Sequence, residues 1–236
     1  DEEQDTLIFF GRTRHWRPGK EQDHLLHEGD QVAGRTYERL WISKSTDGGF
    51  SWSEFREIEL EGEGTPESWT IQHTITPGVG IQLKHQKEPG RNGRLVLPCN
   101  HAKAENGEQA FEAHLLISDD HGETWRIGAV MDYPGANESV ITERSDGVLV
   151  YNCRSQGGKP WNQRIQGFSN DGGETLVKKE TVESLYDPVC HAGFTSRLIN
   201  GTDYIFFTAP SGELTPPRVG FFGDFYPCGV REQLIL

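Results

Sequence analysis

An eight-residue pattern occurs three times in this chain: STDGGFSW over Ser45–Trp52, SDDHGETW over Ser118–Trp125 and SNDGGETL over Ser169–Leu176. The shared frame is Ser-x-Asp-x-Gly-x-Ser/Thr, closed by Trp or Leu. Turn chemistry accounts for these residue types. The side chains of Ser45 and Asp47, of Ser118 and Asp120, and of Ser169 and Asp171 are placed to accept hydrogen bonds from nearby backbone N–H groups. Gly49, Gly122 and Gly173 enter the φ > 0 region at little cost. Trp52 and Trp125 offer a broad apolar face to seal the gap between two sheets. These aspartates are therefore expected to be structural. A calcium loop of the EF-hand kind needs more oxygens and a Glu at its twelfth position. The copies start 73 and 51 residues apart. The shorter interval is about one four-stranded propeller blade, and the longer one accommodates a blade with an insertion.

The rest of the chain agrees with a turn-rich all-β domain. Short apolar or β-branched runs lie at Thr6–Phe10, Tyr37–Ser43, Arg56–Leu60, Arg94–Pro98 and Ala113–Ser118, then at Glu138–Glu143, Gly147–Cys153, Arg164–Ser169, Thr195–Ile199 and Asp203–Ala209. Gly, Asp, Asn and Pro punctuate them, and no segment keeps a capped 3.6-residue period. Arg12–Gly34 and Lys84–Asn92 are charged stretches expected to form loops. The 236 residues are read as a single domain, with no run near the ~20 apolar residues that span a bilayer. A net charge of −13 argues against nucleic acid as a partner. Cys99, Cys153, Cys190 and Cys228 are widely spaced without C-x-x-C, so buried thiols are expected rather than a zinc site or a disulfide framework.

The repeat is the Asp-box, and further segments narrow the resemblance. Pro77-Gly78-Val79-Gly80-Ile81-Gln82-Leu83 and Gly93-Arg94-Leu95-Val96-Leu97-Pro98 resemble the sialidase segment G-P-G-x-G-I-Q-L … G-R-L-V-x-P. Asn137-Glu138-Ser139-Val140, then Ser145-Asp146-Gly147 and Asn152-Cys153-Arg154, are similar to the family's active-site Glu, S-D-G turn and N-x-R. Glu138 and Arg154 stand 16 residues apart, the spacing of bacterial members. Together these segments lie within Thr6–Pro217, and the chain resembles the sialidase (neuraminidase) family of six-bladed β-propellers.

That resemblance implies a metal-free, cofactor-free exo-α-sialidase acting on sialylated glycans, in a secreted, lysosomal or membrane-associated setting rather than a nuclear one. Such enzymes hold the sugar's carboxylate with three arginines, whose guanidinium forks suit carboxylates and stay charged. They attack with a Tyr, the exception among retaining glycosidases, paired with a Glu base, and use an Asp as acid/base. By resemblance, Glu138 is the base for the Tyr and Arg154 the second arginine. Arg218, in Thr215-Pro216-Pro217-Arg218, is the third. Asn100 and His101 stand where animal members place tyrosines lining the glycerol side chain, and Trp69 is expected in the core. The F/Y-R-I-P motif of the first arginine and an A-Y-S-D-like context for the nucleophile do not occur, and Tyr226, the one Tyr beyond Arg218, is not expected to replace the latter. About four blades of six are therefore expected, beginning in the second. The alternative is a non-catalytic Asp-box propeller that binds sialic acid or protein.

Overall fold

The computed structural model describes residues 1–14, 38–58, 60–62, 65–105, 108–156, 163–211 and 229–235. These hold fifteen strands and no helix, in four sheets that follow one another along the chain. The first joins β1 (Leu7–Arg14), β2 (Glu38–Ser45) and β3 (Arg56–Glu57) in that order. In the second, β4 (Trp69–Ile75) and β5 (Ile81–Gln82) both pair with β6 (Leu95–Glu105), which continues to β7 (Glu108–Ser118) and β8 (Arg126–Met131). The third is the meander β9 (Ala136–Glu143), β10 (Leu149–Ser155), β11 (Gln163–Ser169) and β12 (Lys178–Tyr186). The fourth joins β13 (Gly193–Ile199), β14 (Thr202–Ser211) and β15 (Gly229–Ile235). All pairings are antiparallel. First strands of neighbouring sheets touch, β1 with β4 and β13 with β9. Meander sheets whose first strands meet in this way are propeller blades, so the all-β propeller expectation stands.

Every expected strand forms, although Arg56–Leu60 keeps only two strand residues and an isolated bridge from Leu60 to Trp125. The 73-residue interval contains one enlarged blade, with 11-residue strands β6 and β7. Strands β4, β8, β12 and β15 carry no clean alternation in sequence. β12 is KKETVESLY, whose side chains are mostly solvated.

The cores lie between blades. Leu40, Ile42, Leu97, Leu116 and Trp125 fill the first interface. Ala113, Leu115, Ile141, Leu149 and Tyr151 fill the second, and Leu185, Ala192, Phe207 and Ala209 the third. Cys99 and Cys153 are buried, as expected, while Cys190 is half-buried; Cys228 lies outside the described residues.

The three repeats are one turn built three times. Ser118 Oγ accepts from Gly122 N (2.8 Å) and donates to Asp120 Oδ1 (2.8 Å). Asp120 accepts from Thr124 N (2.9 Å) and Thr124 Oγ1 (2.6 Å). Ser45–Asp47–Gly49–Ser51 and Ser169–Asp171–Gly173–Thr175 repeat these bonds within about 0.1 Å. Trp125 is 1% exposed, bonds Gly122 O through Nε1 and meets Phe10 edge-on at 5.2 Å. Trp52 departs from expectation. It makes the same bond to Gly49 O but is 46% exposed, because among the described residues no sheet packs on its side of the first blade.

A second device ties each turn to the blade before it. Glu123, inside the second turn, takes Lys44 and Arg56 of the first blade. Glu174, inside the third, takes Arg94 at 2.8 Å and Arg126 at 2.6 Å from the second blade. Arg94, 5% exposed, also grips Asp119 through Nε and Nη2 at 2.7 and 3.0 Å. With the arginine buried and the contact bidentate, that pair exceeds the small contribution of a fully solvated surface ion pair.

Asp120→Ala removes the acceptor shared by three groups of one turn and is expected to lower stability by about 2 kcal/mol. Trp125→Ala is expected to cost about 3–5 kcal/mol. Urea unfolding, read as the shift in midpoint at constant slope, checks both.

Candidate active site

Glu138 lies in β9 and Arg154 in β10, neighbouring strands joined by the tight turn Arg144–Gly147. Leu149 pairs with Glu143 and Cys153 with Ser139, a register that leads Arg154 towards Glu138. The next pair is Ser155 with Ala136, so one extra residue is accommodated in β9 beside Arg154. Such a bulge re-aims side chains at the rim of a sheet. The result is an ion pair, Arg154 Nη1 to Glu138 Oε2 at 3.0 Å, with the side chains 19% and 23% exposed. Leu149, at the other end of β10, pairs with Ser169 of the third Asp-box. Five residues of strand put about 17 Å between Arg154 and that turn. The ion pair and the Asp-boxes occupy opposite ends of the blade.

Neighbouring groups fix the guanidinium. Gln156 Oε1 accepts from Arg154 Nη2 at 2.6 Å and from Asn137 Nδ2 at 2.9 Å. Val189 O accepts from Nη1 at 3.3 Å. Arg154 Nε is buried and has no hydrogen-bond partner among the described residues. That leaves one donor on the guanidinium unspent. Asn137, 4% exposed, opens the sequon Asn137-Glu138-Ser139, and its burial leaves no room for a glycan there.

Two residues of this site went unnoticed in the sequence. His191 precedes β13 and is close enough to Glu138 and Arg154 to feel both charges. Burial lowers its pKa, partly opposed by Glu138. Its Nε2 would stand 3.0 Å from a Cβ on Gly78, whose φ of +131° also excludes L side chains, so only glycine leaves the imidazole its place. Beneath it, Arg164 is fully buried. Its Nε donates to Asn152 Oδ1 at 2.7 Å, its Nη1 donates to Cys190 O at 2.8 Å, and Asp187 Oδ1 is 3.5 Å away. Asp187 in turn accepts from the backbone of Ser155 at 2.5 Å and of Val189 at 2.9 Å. This buried pair holds the Asp187–His191 segment against Arg154, with Val189 at φ +62°. Neither DPVCH nor QRIQGF has a spacing that announces such a role.

Asn100 and His101 are also buried, at 4% and 0% exposure. His101 is stacked under Trp69, ring centroids 3.5 Å apart, and hydrogen-bonded to His114. As placed, neither residue is open to a ligand; Trp69, 5% exposed, is a core residue as expected. Arg218 and Tyr226 lie outside the described residues. An apolar cleft of about 630 Å³ between β1 and the β4–β6 segment includes neither Glu138 nor Arg154. The partly exposed Arg154–Glu138 pair is the better site for chemistry, since the cleft walls converge few polar groups.

Asp187→Ala strips the buried Arg164 of its counter-charge and is expected to cost about 3–5 kcal/mol, whereas Arg164→Met with Asp187→Leu should recover most of it. Urea denaturation of the two variants beside the unaltered protein checks this. The pKa of His73, hydrogen-bonded to His114, is lowered by burial to about 3. The unfolded chain therefore binds that proton first. Stability is full above pH 6.5 and should fall as pH drops towards 3, by about 1.4 kcal/mol per pH unit for each proton that the unfolded chain binds and the buried imidazoles do not. Thermal melts across that range, with His73→Gln as reference, measure the slope.

With this geometry in place, known proteins sharpen the picture. Residues 17–235 match the model of the BNR repeat-like domain. Human Sialidase-4 is 29% identical over 212 residues, covering 82% of this chain and 41% of the relative. The sialidase of Micromonospora viridifaciens is 31% identical over 151 residues, covering 64% and 22%. The chain thus spans less than half the length of these relatives. Among solved structures, the Hadza microbial sialidase Hz136 superposes with a TM-score of 0.64 at 22% identity, covering 89% of this chain and 38% of that one. The intramolecular trans-sialidase from Ruminococcus gnavus, in complex with oseltamivir carboxylate, gives 0.56 at 25% identity, covering 73% and 33%. The chain belongs to the BNR repeat-like family, as a propeller of the sialidase type.

Proposed function

We propose that this chain is part of an exo-α-sialidase that hydrolyses terminal α-linked sialic acid from glycoconjugates with retention at the anomeric carbon. One observation carries the reading: Arg154 and Glu138 meet at 3.0 Å, at the end of the blade remote from the Asp-boxes. A sialoside is anionic at the reacting carbon. Arg154, oriented by Gln156, suits that carboxylate once its Nη1 exchanges Glu138 for the sugar. Glu138 is then released from Arg154 and free to take the proton of a phenol nucleophile. A phenol suits this substrate better than a carboxylate, which the sugar's own charge would repel. Arg218 serves as a further arginine in this scheme. The reaction needs no metal or cofactor, because guanidinium charge and a proton acceptor supply the electrostatics and the base.

The test uses the full reading frame containing this chain and a fluorogenic aryl sialoside. Glu138→Gln is expected to lower kcat by at least 10²-fold with KM little changed. Arg154→Leu is expected to raise KM at least tenfold, and Gln156→Leu to raise it severalfold through a misplaced guanidinium. If the unaltered protein binds sialic acid but turns nothing over, the chain is a binding propeller and the hydrolase reading fails.

A further inference from the structure

Outside the Glu138–Arg154 site, the second blade buries a chain of titratable groups that no step of the proposed reaction uses. Thr65 Oγ1 is 2.7 Å from His73 Nε2, and His73 Nδ1 is 2.9 Å from His114 Nε2. His114 Nδ1 is 3.1 Å from His101 Nδ1, and His101 Nε2 is 3.3 Å from Glu112 Oε2, close though not in line. The other oxygen of Glu112 pairs with Lys103. The three imidazoles are 3%, 0% and 0% exposed, and Trp69 covers all of them, stacked on His101 at 14° between planes. Their nitrogens point at one another, so they do not converge on a common point as metal ligands would.

The hydrogens of this chain can be counted. A neutral imidazole carries one N–H, and a carboxylate only accepts. Glu112 therefore draws the hydrogen of His101 to Nε2, which makes His101 Nδ1 an acceptor. His114 must then carry its hydrogen on Nδ1 and accept at Nε2, and His73 must carry its own on Nδ1. Thr65 closes the chain as donor to His73 Nε2. The Thr65–His73, His73–His114 and His114–His101 contacts are each satisfied in one direction, while the Nε2–H of His101 faces Glu112 at 3.3 Å without an aligned hydrogen bond.

We propose that His73, His114 and His101 form a single site for one proton, which enters at Thr65 and leaves its charge on His101. The hydroxyl hydrogen of Thr65 passes to His73 Nε2 as Thr65 takes up a solvent proton. The bridging hydrogen of His73 passes to His114 Nε2, and that of His114 to His101 Nδ1. No ring turns, one proton is gained, and all three rings change state together. The charge ends between the Glu112 carboxylate and the face of Trp69, the two groups here that stabilise a cation. Lys103 of β6 opposes it. Tyr151 of β10 donates at 3.0 Å to the His114 carbonyl and stays protonated, since burial raises its pKa. A second proton is barred, because one of the two N···N contacts would then set two hydrogens face to face in a dry core. Burial lowers the pKa of all three rings, which places uptake below the ordinary histidine range.

The inference does not depend on sialidase activity. Long-range ¹H–¹⁵N spectra of the uniformly ¹⁵N-labelled full chain report ring tautomers. Couplings across the N–H···N bonds identify the three linked rings without substitution. At pH 7.5, Nδ1–H is expected on His73 and His114, and Nε2–H on His101. On acidification, Nε2–H should replace Nδ1–H on His73 and His114 with one shared midpoint, and Trp69 fluorescence should change at that midpoint, a signal lost in Trp69→Phe. Glu112→Gln should move the midpoint down by at least one pH unit, a tenfold weaker proton. An Nε2–H on His114 at pH 7.5, separate midpoints for the three rings, or unfolding before any tautomer change would each overturn the proposal. So would an unmoved midpoint in a folded Glu112→Gln.

Discussion

The capture of backbone and hydroxyl hydrogens by one aspartate in each turn is the constraint on which this molecule rests. Asp120 satisfies Thr124 twice and Ser118 once, which closes a tight turn at the outer edge of the second blade. Closing it drives Trp125 between two sheets, and seating Trp125 defines the first inter-blade core. Glu123 and Glu174 then bind cations of the preceding blade, so the second and third turns both end a sheet and dock it. A sheet of three or four strands with two apolar faces is not stable alone, and blade-to-blade packing provides what it lacks.

The site follows from that scaffold at the opposite end of the strands. Once β9 and β10 are held in register, the hairpin and the bulge beside Arg154 bring Glu138 and Arg154 together. The remaining groups refine one cation. Gln156 and Asn137 orient it from its own blade, while the buried Arg164–Asp187 pair presses the Val189 carbonyl on it from the segment leading to the fourth. Gly78 leaves the space that His191 occupies beside it. Charged groups held on strands by hydrogen-bonded neighbours give a preorganised cation.

Much of this was legible in the sequence, for physical reasons. The Asp-box can be read because its hydrogen bonds are local, within seven residues. The pairing of Glu138 with Arg154 is legible too. A spacing of 16 residues about an S-D-G turn makes the two positions partners across a hairpin. The Glu shared by GETW and GETL also had a structural meaning, since the first copy has Phe50 there and Phe50 is 93% exposed. What stayed hidden depends on long-range packing. β4 reads as a polar run, WTIQHTI, because its histidine pairs with His114, 41 positions away, rather than with a hydrophobic core. His101 looked like a surface residue near a sugar and is instead enclosed. Trp52 broke the rule of its motif because burial depends on a neighbour, and no local pattern records neighbours.

The account turns on Arg154 exchanging one carboxylate for another. A crystal structure of the full-length protein with sialic acid bound tests that directly. The account predicts the sugar's carboxylate on the Arg154 guanidinium, with Glu138 withdrawn from it and Gln156 still in place. A sugar bound elsewhere, or one bound nearby with the 3.0 Å Arg154–Glu138 pair unchanged, would contradict it.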